Sequence, residues 1–155
     1  ATCHRCIMEG QRRMKATYSN LMQSKYFSPA FNSAIFDGPV RIYFAQFHES
    51  FALKLYFLLQ NNFSESLAKA KEISKSVHSN ILVMVYPSQD NFILSFDDDD
   101  SKTEPIVFEK WNQDLVIGLR QPLEDSQLDY FAIEFQKAMD LWMELNRIPP
   151  QELAL

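Results

Sequence analysis

The chain has 155 residues, 46% of them hydrophobic and 23% charged, which is the size and balance of a single soluble folded domain, without the composition of a disordered chain. Its net charge of −5 argues against a nucleic-acid binder that works by neutralising phosphates. Three glycines, Gly10, Gly38 and Gly118, none closer than 28 residues to the next, exclude the clustered glycines of a Rossmann fingerprint or a P-loop.

The charge is uneven. Residues 1–20 carry Arg5, Arg12, Arg13 and Lys15 against Glu9, a net of +3, so the remaining chain carries −8. No apolar run of about 18 residues is present and the start has no apolar leader region, so the expectation is a cytoplasmic protein that neither spans nor binds a membrane. The first residue is not Met, and Met14 is an alternative start. Residues 1–13 are expected to be a flexible tail or leader, 14–148 the folded domain and 149–155 a second tail. Cys3 and Cys6 are the two cysteines, so no disulfide framework holds the body together.

From about Gln11, the recurrence of Met14, Tyr18, Leu21, Met22 and Tyr26 lays one apolar stripe along a helix that Pro29 ends. After a polar connection, Asp37-Gly38-Pro39 signals a turn and Val40 to Phe47 predicts a strand buried on both faces. In the next segment Phe51, Leu53, Leu55, Phe57 and Leu59 alternate like a strand, whereas the Ala, Leu, Lys and Gln content favours helix; pattern alone leaves both open. A clearer helix follows, with Asn62 and Glu65 spaced as a capping box and Phe63, Leu67, Ala70, Ile73 and Val77 as its stripe, stopping near Asn80.

ILVMVY at 81–86 is a continuous apolar run, expected of a strand covered on both faces in the middle of a sheet. Strands at 92–96, 106–111 and 115–120, joined by short polar turns, predict a meander. The last element is a long helix from about Ser126 to Asn146, with Leu128, Phe131, Ala132, Phe135, Ala138, Met139, Trp142 and Leu145 on one face and Pro149 and Pro150 beyond it.

These elements predict an α+β domain, a four- to six-stranded mixed or antiparallel sheet covered by helices. With 51–59 as a strand, the order α-β-β-α-β-β-β-α resembles the roadblock and related profilin-like scaffolds. That resemblance, of topology alone, implies a dimer that serves as an interaction platform.

Cys3, His4 and Cys6 supply half of a zinc site, but no second pair follows and the remaining histidines, His48 and His78, stand far apart in the sequence. The expectation is therefore a silent pair, with no metal and no cofactor. The run Asp97 to Asp100 places carboxylates at calcium-loop spacing from Asp98, yet Lys102 and Thr103 occupy the positions that need an oxygen ligand and a glycine, so a solvated hairpin tip is expected.

His48 and Glu49 follow a strand and are the weak catalytic candidates, although the second histidine of an HExxH motif is absent. No G-x-S-x-G elbow exists and the folded body holds no cysteine. Trp111 and Arg120, near strand ends, are candidate interaction residues, whereas Trp142 fits the core stripe. The sequence thus points to a non-enzymatic protein-protein interaction module, a homodimeric scaffold or adaptor that binds another protein. The alternatives are a small enzyme or ligand-binding domain with a dispersed site near His48 and Glu49, and an acidic secretion-type chaperone.

Overall fold

The computed structural model describes residues 21–88, 105–120 and 123–146. Among these residues five strands form one mixed sheet: β1 (Ser33–Asp37), β2 (Val40–Phe44), β3 (Ile81–Val85), β4 (Ile106–Trp111) and β5 (Asp114–Leu119). Three helices accompany them: α1 (Glu49–Asn62), α2 (Ser64–Ser74) and α3 (Leu128–Leu145). The spatial order is β1-β2-β3-β5-β4. Hairpins β1–β2 and β4–β5 are antiparallel, while β2–β3 and β3–β5 are parallel, so the sheet has a parallel centre and an antiparallel pair at each margin. This is the α+β class that the sequence predicts. Among the described residues no helix is long and apolar enough to cross a membrane.

The central position of β3 follows from its composition. Ile81, Leu82, Val83, Met84 and Val85 are all buried, and a strand with no polar face is stable only between two covered faces. On one face Val40, Ile42, Phe44, Ile81, Val83, Val85, Leu115, Ile117 and Leu119 meet the three helices. Each such side chain, taken out of water, contributes about 1.5–3 kcal/mol before entropy is counted. On the other face Tyr43, Leu82, Met84 and Val116 pack against Leu21, Tyr26 and Phe31. Leu21 and Met22 are helical, and the chain then turns, with the Tyr86 hydroxyl donating to the Tyr26 carbonyl at 2.7 Å.

Residues 49–62 are helix, which settles the segment that alternated. Ala52, Leu55 and Leu59 are its buried residues, at three- and four-residue spacing, while Leu53 and Phe57 of the alternating set point to solvent. The element order within the described residues is β-β-α-α-β-β-β-α. The condition for the roadblock-like order, a strand at 51–59, is therefore not met.

Asn62 does not cap the next helix. It is the last residue of α1 and its Nδ2 donates to the Leu58 carbonyl at 2.9 Å, while α2 starts at Ser64 after Phe63 without a side-chain cap. The bend between α1 and α2 is held instead by burial of Phe63, whose ring lies 5.1 Å from that of Phe135 on α3. The long closing helix is present as expected, with Phe131, Phe135, Ala138, Met139 and Trp142 buried along one stripe. The expected strand at 92–96, the aspartate run and the terminal segments lie outside the described residues.

Candidate functional site

Parallel strands carry their chain ends to one edge of a sheet, and in open parallel sheets that edge is where ligand crevices form. Here β2 ends at Phe44 and leads through Ala45 into a 3-10 turn (Gln46–His48) and then α1, while β5 ends at Leu119 and leads to Arg120. Asn32 pins the turn by accepting from the Gln46 N–H at 2.8 Å, and the His48 N–H donates to the Ala45 carbonyl at 2.8 Å. The His48 ring lies 4.3 Å from that of Phe47, and its buried Nδ1 has no hydrogen-bond partner among the described residues. Burial holds the His48 imidazole below its ordinary pKa because the charged form loses solvation.

The topology thus brings His48, Glu49 and Arg120 to one sheet edge, but not into contact. β3 lies between the strands that carry them, a separation of two strand spacings or roughly 10 Å. Glu49 is exposed at the first position of α1, and no ion pair or hydrogen bond joins it to His48 among the described residues. Arg120 is 6% exposed, and its N–H donates to the Pro105 carbonyl at 2.9 Å.

Trp111 is half-buried at the end of β4. Its ring meets that of Tyr26 edge-on at 5.7 Å, and the Tyr26 hydroxyl donates to Glu109 at 2.5 Å, so Trp111 belongs to the packing of residues 21–31 onto the sheet. Burial and Glu109 together raise the Tyr26 pKa, which keeps its hydroxyl protonated as the donor. Cys3, His4 and Cys6 lie outside the described residues, among which no three His, Cys, Asp or Glu side chains converge on a metal position.

At the opposite edge an open cleft of about 380 Å³ is lined by His78, Lys110, Asn112, Gln113, Leu145 and Asn146, among others. Of these, Asn146 also belongs to a structural network of the neighbouring turns. Asn80 accepts from Arg41 Nε at 3.3 Å, and its own N–H donates to Asp114 at 2.7 Å. The Asn146 amide donates to Ser79 Oγ at 3.2 Å and to the Trp142 carbonyl at 2.9 Å. Burial raises the Asp114 pKa, opposed by the Asn80 N–H and the Arg41 charge, and burial lowers that of Arg41. These groups serve each other and fasten the turns together.

The feature that the sequence did not reveal is β1 and its flanks. β1 is a marginal strand whose outer edge has no partner among the described residues. On the helix face Ile35 packs against the core; on the other face Phe36 is 43% exposed, with its ring at 6.0 Å from that of Tyr43 and Arg41 stacked over it at 4.8 Å. Asp37 receives the Tyr56 hydroxyl at 3.1 Å and Lys71 at 2.6 Å, which docks α1 and α2 beside the β1–β2 turn. Next to Tyr56 on α1, Leu53 and Phe57 are 38% and 55% exposed. Phe36 is thus open beside the edge on one face, and Leu53 and Phe57 are open on α1, the helix that Tyr56 ties to β1.

No family model, curated protein or solved structure matches this chain.

Proposed function

We propose that this protein is a non-enzymatic protein-protein interaction module, a cytoplasmic scaffold or adaptor that receives a partner's strand along β1. One observation carries this reading: the β1 edge is bare among the described residues, lacks the lysine, proline or bulge that usually blunts an edge, and has Phe36 open on one face, with Leu53 and Phe57 open on the helix that Tyr56 ties to β1 on the other. The local charges there are already matched, Asp37 by Lys71 and Arg41 by Asn80 and Asp114, so shape and backbone pairing would govern recognition.

The second reading, a small enzyme or ligand-binding domain, is favoured by the partnerless Nδ1 of His48 at the carboxyl edge of the parallel strands. Affinity capture from the source cell with wild-type and Ala34→Pro baits separates the two. Under the first reading the proline bait, whose N–H toward the partner is gone, loses a defined set of proteins. Identical captures from both baits, together with a small molecule that stabilises the wild type but not His48→Gln, would replace it with the second.

A further inference from the structure

We infer that the occupant of the β1 edge is a second copy of this chain, paired antiparallel about Ile35 so that two five-stranded sheets become one. The inference rests on the docking role proposed for β1. Asp37 and Val40 close a two-residue turn, and the closing pair of such a hairpin is hydrogen-bonded. Alternation then directs the backbone groups of Asp37, Ile35 and Ser33 toward β2 and leaves those of Ala34 and Phe36 pointing outward.

A two-fold axis at Ile35 sets Ala34 opposite Phe36 of the second copy, twice, so the outward groups of each strand meet those of the other in two hydrogen-bonded pairs. The small side chain faces the large one, Ile35 meets Ile35, and Ser33 stands opposite Asp37 with no like charges opposed.

The helix face decides between a copy and a bare peptide. A peptide strand laid on β1 covers the backbone and Phe36 but leaves Leu53 and Phe57 open. A two-fold normal to the sheet keeps both copies' helices on the same side, which sets α1 beside α1 and closes that stripe against itself. The stripe lies on the correct flank, because Leu53 and Phe57 neighbour Tyr56, which reaches Asp37 of β1, whereas Lys54 turns the other way to Asp125.

With Phe36, Leu53 and Phe57 at 43%, 38% and 55% exposure, and aromatic side chains of about 200 Å² each, these three expose about 260 Å², and the patch with its strand backbone amounts to about 400 Å² per copy. About 800 Å² in total lies well below the size of a permanent dimer, so the association is weak, reversible and dependent on concentration.

Sedimentation or light scattering of the full chain from about 1 to 500 μM, a range suited to a small interface, should show a monomer-dimer equilibrium. Ala34→Pro, which removes an outward N–H and no internal ladder bond, should weaken it at least tenfold. In a Cys3→Ser, Cys6→Ser background, Ile35→Cys should form a covalent dimer on mild oxidation, since a non-hydrogen-bonded pair sets the two Cα atoms about 4.5 Å apart. Gln136→Cys, on the exposed face of α3, should not. A wild type that stays monomeric throughout, or a dimer unaffected by Ala34→Pro, overturns the inference. If Ala34→Pro does not fold, the cysteine pair decides alone, and absence of the Ile35→Cys dimer overturns it. A monomeric wild type whose other captured partners are still lost with Ala34→Pro removes the second copy and keeps the docking role; captures unchanged by Ala34→Pro remove both.

Discussion

Gly38→Ala tests how tightly the β1–β2 turn is joined to the helix layer. Gly38 sits at φ +59, where an L side chain is strained, and a Cβ built there would lie 2.5 Å from Cγ of Lys71. Two costs add. The left-handed backbone costs alanine about 1–2 kcal/mol, and the loss of unfolded-state entropy on replacing glycine returns about 0.4–1 kcal/mol. Lys71 must also swing away, which disturbs its contact with Asp37; that pair is half in solvent and is worth about 0–1 kcal/mol. The expected destabilisation is about 1–2 kcal/mol, or about 2–8 °C in Tm for a chain of this length. Urea unfolding of the single variants and of the pair with Lys71→Ala separates the two parts. Alanine at 71 keeps only the Cβ, 3.5 Å from the new methyl, an ordinary contact, so the cost of Gly38→Ala should fall there to its backbone share. A Gly38→Ala protein as stable as wild type, or the same cost in both backgrounds, would refute the reasoning.

Trp142 is wholly buried on α3 and its Nε1 has no partner among the described residues. Trp142→Ala should cost about 3–5 kcal/mol by urea titration, while Trp142→Phe, which also deletes the partnerless N–H, should cost clearly less; an Ala variant within about 1 kcal/mol of wild type would contradict its core role. For His48, burial holds the folded-state pKa below the unfolded value near 6.5, so between the two the unfolded chain binds more protons and stability falls as the pH drops from about 7 toward 5. His48→Gln should flatten that slope in thermal melts, and parallel wild-type and variant slopes would show that the imidazole is not buried as described.

The parts of the fold legible in the sequence were those in which one strong pattern had no rival. The apolar run 81–86 and the stripe from Leu128 to Leu145 each point to one kind of burial, and both elements form where expected, although Leu145 at the end of the stripe is exposed. The segment 51–59 was ambiguous because two solvent-facing residues, Leu53 and Phe57, completed an alternation that has no structural role, while the buried Ala52, Leu55 and Leu59 carried the helical spacing. Those same two residues are open on α1 beside Tyr56, which bonds to Asp37 of β1. β1 was missed because a short half-buried strand next to a turn shows little contrast: Ile35 faces the core and Phe36 faces outward under Arg41. Asn62 had cap chemistry but the wrong position, since burial of Phe63 fixes where α1 stops. That His48 and Arg120 share an edge depends on the strand order, which is a property of long-range pairing and is invisible to local pattern.

The placement of β3 has a kinetic consequence. Each marginal hairpin closes through a two-residue turn and can zip locally, but β3 has no hairpin partner and pairs only with strands whose nearest ends are dozens of residues away in the chain. Neither half can complete its hydrophobic layers until β3 slides between them. Contact order then predicts folding slower than that of a helical domain of this length, with the closure entropy of both long connections charged to the pairing of β3.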